Sequence, residues 1–361
     1  MKNIESLGDL FEMVGCEASF FDIGRRITKI TPQQAIQFDK KQQAYPYPFR
    51  QHAWLACLLK TKDTNKAKAA DHAVIWFIKL PLDESGALNL GTRDHFIKTI
   101  VDKILHKGEE AGLAEALEDS PYAFKPDQER MANFHAILAK QLGTPTSHYY
   151  EGVLDYVTNR LNESLADQQD DSWQALGLQG IAELAVQVES TTYSPLINKA
   201  LKHAPNPFVS ALCHSLEHHR LPADIEKTLI DKLLAEQNPL MQASYIRALS
   251  NTPLNNNLLL PLFAMLGNLT ECSDEQTHPI TALAAKCPHW LASNPQLLRI
   301  IMEKLAHRDD AFIAFKQIAI ELSQHPETRQ PLWVLLRQEH ISATMAQAVS
   351  HLFTQAPNTL Q

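Results

Sequence analysis

The sequence predicts a mostly helical protein, in which a small α+β N-terminal domain over residues 1–120 precedes a helical domain over residues 121–361. Three observations carry this. The chain holds only 12 glycines against 20 prolines, which favours helices joined by proline-marked corners over tight β-turns. Runs rich in β-branched and aromatic residues are confined to the part before Asp83. From Ser194 onward, helix starts recur at a near-regular interval, as in a solenoid of helical hairpins. With 361 residues, 45% hydrophobic and 20% charged, the chain can bury real cores and is neither disordered nor a coiled coil.

In chain order, Ile4 to Val14 reads as a short amphipathic helix and Phe20 to Ile30 as a strand. Thr31-Pro32-Gln33-Gln34 opens a helix: Thr31 caps free amides, Pro32 suits the first helical position and Gln34 completes a capping box. Tyr45-Pro46-Tyr47-Pro48 is a stiff connector, since each proline forces its predecessor into an extended conformation. His52 to Leu59 and Ala73 to Leu80 read as a β-hairpin around the polar loop Thr61 to Ala70, with Trp54 and Trp76 pointing into a core. After Thr92, the apolar stripe Phe96, Ile97, Ile100, Val101, Ile104, Leu105 follows a helical period and stops at Gly108.

The strings Phe21-Asp22-Ile23-Gly24-Arg25-Arg26, Tyr45-Pro46-Tyr47-Pro48, Ala53-Trp54-Leu55 and Ile75-Trp76-Phe77-Ile78-Lys79-Leu80-Pro81-Leu82-Asp83 resemble those of an uncharacterised bacterial family catalogued only as a domain of unknown function. The resemblance runs through most of the chain and is strongest in this first zone. It implies a bacterial cytoplasmic protein and supplies no catalytic residues.

Beyond Ser147 nearly every segment reads as helix, and from residue 194 the helices pair. The pairs begin near Ser194 and Pro207, Pro222 and Asn238, Asn255 and His278, Asn294 and Asp309, and Thr328 and Ser342, so first-helix starts lie 28, 33, 39 and 34 residues apart. This period resembles repeats of the HEAT or armadillo sort, in which one hairpin cannot bury its apolar face alone and neighbours share a core. Asn206-Pro207, Asn238-Pro239 and Asn294-Pro295 mark corners where Asn caps and Pro opens the next helix. The last helix sets Gln347, Ser350 and Thr354 against Met345, Val349 and Phe353, as a terminal cap requires.

Net charge is −8, distributed as +4 over residues 1–108, −11 over 109–190 and −1 over 191–361. Residues 24–68 hold ten basic side chains and two acids, Asp39 and Asp63. Glu5, Asp9 and Glu12 interrupt the apolar stretch a secretory leader needs, and Ala73 to Ile78 and Leu258 to Gly267 are too short to span a bilayer. Five scattered cysteines without a CxxC pair fit reduced thiols in a cytoplasm.

His214-Ser215-Leu216-Glu217-His218 is a literal HxxEH, in which two histidines would hold zinc while the glutamate serves as base. On a helical wheel Phe208, Leu212 and Leu216 form the buried face, so His214 and His218 are expected to project toward solvent and bind no metal. Cys272, His278, Cys287 and His289 miss zinc-ligand spacing and read as buried thiols in a loop-to-helix segment. No Gly-rich phosphate loop follows a strand and no GxSxG elbow occurs, so neither cofactor nor catalytic residue is expected. Arg25, Arg26, Lys29, Lys40, Lys41 and Arg50 lie among Phe38, Tyr45, Tyr47 and Phe49, a mixture suited to an acidic partner or to nucleic acid unless the −11 zone masks it within the molecule. The expectation is a non-enzymatic interaction protein binding a protein partner through a helical-repeat surface. Nucleic-acid binding by the basic segment stands second, and zinc-dependent hydrolysis at residues 214–218 third.

Overall fold

The computed structural model describes residues 4–62, 73–107, 113–161, 171–269, 273–308 and 310–354. The expected hairpin loop and the Gly108 helix stop lie largely outside them. The chain divides into two compact units, residues 1–127 with 324–326, and residues 128–323 with 327–361. The architecture is mostly helical, with a four-stranded antiparallel sheet confined to the first unit.

The first unit contains α1 (Leu7–Met13), β1 (Cys16–Asp22), β2 (Thr28–Ile30), α2 (Pro32–Asp39), β3 (His52–Thr61), β4 (Ala73–Pro81), α3 (Leu90–Lys107) and α4 (Leu113–Ala116). Its strands run in the order β2-β1-β3-β4. Ser6 caps α1 by accepting from the Asp9 amide, and the Asp39 carboxylate accepts from the next free amides, Leu7 at 2.8 Å and Gly8 at 3.4 Å. The capping box of Thr31 and Gln34 is complete in α2. Leu10, Phe11, Phe38 and Phe96 press onto one sheet face and close a core around Trp76 and Tyr45. Phe11 and Trp76 meet edge to face at 5.5 Å.

Three details differ from the sequence expectation. Phe20 to Ile30 is two strands rather than one, because the Asp22 carboxylate gathers the amides of Gly24, Arg25 and Arg26 into a turn. A Cβ at Gly24 would stand 3.1 Å from both Phe49 and Trp54, so any side chain there would press on these two residues. Trp54 and Trp76 lie on opposite faces: Trp76 is opposite Cys57, three residues along β3 from Trp54. Trp54 is half-buried against Phe49 and Phe124. Residues 121–127 also belong to this first unit. The Lys79 amide donates to the Tyr122 carbonyl at 2.8 Å and the Phe124 amide to the Phe77 carbonyl at 3.1 Å, covering the open edge of β4.

The second unit contains α5 (Gln128–Leu142), α6 (His148–Asp155), α7 (Leu178–Ala185), α8 (Ser194–His203), α9 (Asn206–Leu216), α10 (Ala223–Ala235), α11 (Pro239–Leu249), α12 (Asn256–Asn268), α13 (His278–Lys286), α14 (Pro288–Ser293), α15 (Pro295–Ala306), α16 (Ile313–Gln324), α17 (Pro326–Leu336) and α18 (Ala343–Thr354). A π-helical turn, Tyr156–Arg160, extends α6. Asn238 and Asn294 cap α11 and α15 with their side chains, whereas Asn206 already lies inside α9, whose N-cap is Pro205. Helices pack in two rows. In one, α5, α7, α9, α11 and α13 follow one another; in the other, α10 lies between α8 and α12, and α15 between α12 and α18. One continuous core fills the space between, from Tyr150 through Leu212, Leu249 and Trp290 to Met345. A Cβ at Gly180 would sit 2.3 Å from the Tyr149 carbonyl oxygen, so α6 and α7 approach closely only because no side chain intervenes. Phe353 is 58% exposed and leaves the apolar side of α18 incompletely covered. Among the described residues no helix is long and apolar enough to cross a membrane.

Candidate functional site

Glu217 and His218 of the HxxEH are turned inward, and His214 is partly buried. α9 ends at Leu216, and the following amides tighten into a turn, His218 donating to the Ser215 carbonyl and His219 to Leu216. A helical wheel therefore stops applying at the residues that matter. Glu217, at the C-cap, is carried inward until only 2% of its side chain is exposed. Its Oε2 accepts from Arg247 Nε of α11 at 2.6 Å, and its Oε1 from Lys286 Nζ of α13 at 2.9 Å. Arg247 Nη2 also donates to Glu129 Oε1 of α5 at 2.7 Å. The other Glu129 oxygen lies 3.1 Å from His214 Nδ1, and His214 Nε2 lies 3.4 Å from the Ser244 hydroxyl. His218 Nε2 stands 3.8 Å from Glu217 Oε1, with its side chain 5% exposed.

The electrostatics follow from this arrangement. Burial opposes ionisation of Glu217, but the charges of Lys286 and Arg247 outweigh it and hold the carboxyl well below its usual range. Burial likewise works against Glu129, yet the His214 hydrogen bond and the Arg247 charge bring it down to about 2. Burial lowers the Lys286 ammonium, with the Glu217 charge opposing that shift. Arg247 is burdened by burial but raised above its ordinary value by Glu217 and Glu129.

A zinc peptidase needs two free imidazole nitrogens facing one ion and a carboxylate able to take a proton from water. Here both His214 nitrogens have neighbours, and both Glu217 oxygens are filled by cations in a water-excluded position. Among the described residues no group of three or more His, Cys, Asp or Glu side chains is placed to hold a metal. The cluster instead ties α5, α9, α11 and α13 together. Of the second cysteine and histidine group, Cys287 is buried and Cys272 lies outside the described residues.

The basic segment divides. Arg25 is buried, donates through Nε to the Pro48 carbonyl at 2.6 Å and sits 5.8 Å from the Phe49 ring centre. Arg26 is half-buried, Lys29 and Lys40 are exposed, and Lys41 pairs with Asp83 at 2.8 Å. Arg50 is exposed, with its guanidinium 5.2 Å over Phe49. Phe38 and Tyr45, read as stacking residues, are in the core, and Lys79 covers Trp54 at 5.0 Å. Lys29, Lys40, Lys41 and Arg50 are thus the exposed cations of the six, Lys41 being the one paired with Asp83.

A family model described as a protein of unknown function, DUF3549, matches residues 2–353. The chain belongs to that family. No curated protein and no solved structure matches it. The family matches both units over nearly their whole length, so sheet and helical rows are parts of one family architecture.

Arg247, Glu129 and Lys286 had no sequence signal linking them to HxxEH, being 30, 88 and 69 residues from Glu217 in the chain. An open groove of about 500 Å³ between α8 and α10, lined by Asn198, Lys202, Asp224, Lys227, Thr228 and Asp231 among others, was likewise invisible in the sequence. Its mixed charges mark no particular ligand.

Proposed function

We propose that this is a non-enzymatic binding protein of the bacterial cytoplasm, holding a protein partner on a solenoid of HEAT or armadillo type. The observation that carries the reading is the two-row stack. Each helix packs on the next of its own row, so the outward surface is built from successive helices, as in repeat proteins that bind along an extended face. Large apolar side chains stand out from adjacent helices of one row, Leu234 of α10 at 57% exposure and Leu260 of α12 at 72%. The chemistry-bearing groups support it too. Glu217 is locked by two cations, and burial raises the thiols of Cys16, Cys57 and Cys213, the last to about 12.

The test is a pull-down from native lysate with wild type and with Leu234→Lys/Leu260→Lys. A defined partner retained by wild type and lost by the variant, with unfolding temperature unchanged, supports the reading. Equal retention by both refutes the assignment to this row. The exposed Lys29, Lys40 and Arg50 favour nucleic acid as the second reading, tested by titrating the chain with single-stranded DNA, RNA and duplex at two salt concentrations.

A further inference from the structure

Arg247 and His214 present their donors as a receptor for an acid would. Each Glu129 oxygen has its own donor, Arg247 Nη2 at 2.7 Å and His214 Nδ1 at 3.1 Å, supplied by two different helices. The receptor is rigid from behind. Glu217 takes Arg247 Nε and thereby fixes the plane of the guanidinium, while Ser244 faces His214 Nε2 and is itself held at 2.9 Å by Ser210. It is also open in front, since the Arg247 and His214 side chains are each 21% exposed and Glu129 is 36% exposed.

Glu129 lies in the first turn of α5 and is 36% exposed, ahead of the residues that bury the helix, Ala132, Phe134, Ala136 and Leu138. α5 meets α7 through small side chains, Ala132 and Ala136 against Ala182 and Val186, which form a cluster separate from the main core of the unit. Without Glu129 the site keeps two cations, Arg247 and Lys286, beside Glu217, a pairing that favours an incoming anion. Arg130, the next residue on α5, adds to the field felt by Lys286.

We propose that Arg247 and His214 form an acid-binding site on the helical stack, occupied in the resting chain by Glu129 as an internal ligand, and that a carboxylate-bearing segment of the protein partner displaces it. This rests on the binding-protein reading above and names the chemistry of one contact within it. Hot-spot arginines in partly desolvated positions anchor such contacts.

The experiment uses the full chain and a hexaglutamate peptide as probe, with binding followed by fluorescence anisotropy. Glu129→Ala should bind the probe about tenfold tighter than wild type, the factor expected if the internal ligand fills the site nine-tenths of the time. Glu129→Ala/His214→Ala should lose that gain while unfolding at a temperature close to that of Glu129→Ala. In wild type, saturating probe should speed amide exchange in the first turns of α5. Unchanged affinity in Glu129→Ala, or a gain that survives loss of His214, overturns the proposal. So does inorganic phosphate competing better than the peptide, which would assign the site to phosphate instead. Partner loss in Leu234→Lys/Leu260→Lys is read separately, so the acid site can fail while the binding-protein reading stands.

Discussion

Replacing Arg247 by methionine tests the ionic cluster most severely. The substitution keeps much of the side-chain volume but leaves Glu217 Oε2 without a donor in a position only 2% exposed, with Lys286 as the remaining cation. Removing one partner of a buried pair costs about 3–5 kcal/mol, because the stranded charge stays desolvated. The Arg247 contact to Glu129, on a carboxylate 36% exposed, adds under about 1 kcal/mol. In a unit of this size each kcal/mol moves the midpoint by about 2–4 °C, so Arg247→Met should unfold roughly 10 °C lower than wild type. Glu217→Gln should cost less, since Lys286 can shed the proton that burial already loosens. The double variant Arg247→Met/Glu217→Gln, with neither charge left, should recover about 1–3 kcal/mol relative to the sum of the single changes. Urea unfolding followed by circular dichroism at neutral pH reads all three. An Arg247→Met variant within about 1 kcal/mol of wild type, or strict additivity in the cycle, would refute the reasoning.

Further expectations are independent of that cycle. His214→Ala/His218→Ala should leave the zinc content of purified protein unchanged yet lower stability by about 1–2 kcal/mol, since His214 holds Glu129; a zinc ion lost with the mutation would restore the enzyme reading. Burial pushes Asp22 up to about 7, against the Tyr45 and backbone hydrogen bonds that oppose it. A carboxyl raised on folding contributes stability that is full below about pH 4 and lost as pH rises through about 7, so the advantage of Asp22→Asn over wild type should grow across that window in tryptophan-fluorescence unfolding. A constant difference would show that Asp22 ionises freely. Glu129, lowered to about 2, has the opposite sign: its contribution is present above about pH 4 and fades as pH falls toward its folded value, so Glu129→Gln should flatten the acid limb. Gly180→Ala must push the Tyr149 carbonyl aside and should cost about 2–3 kcal/mol by thermal unfolding; an unchanged midpoint would mean that α6 and α7 are free to part.

What the sequence disclosed was local. The Thr31 to Gln34 capping box, the Asn238 and Asn294 corners and the starts of α8, α10, α12 and α13 depend on residues within a turn of each other, so pattern alone places them. Trp54 went to the wrong face because β3 is apolar on both faces, and Ala56, Cys57, Leu58 and Leu59 are all buried, which erases the period-two signal. The turn at Gly24 was hidden for a related reason: its stabilising acid, Asp22, sits inside an apolar string and draws its Tyr45 partner from 23 residues away. The ionic cluster was beyond reach, since a helical wheel assigns Glu217 a direction only while the helix continues, and Arg247, Lys286 and Glu129 meet it through tertiary packing.

Photo-crosslinking in living cells tests the central claim, that the stacked helices bind a protein partner, most directly. A photoreactive residue is placed in turn at Leu234, at Leu260 and, as a control in the sheet unit, at the exposed Ile36. The account predicts one and the same crosslinked protein from positions 234 and 260 and none from position 36. Crosslinks from position 36 alone, or unrelated products from 234 and 260, would contradict it.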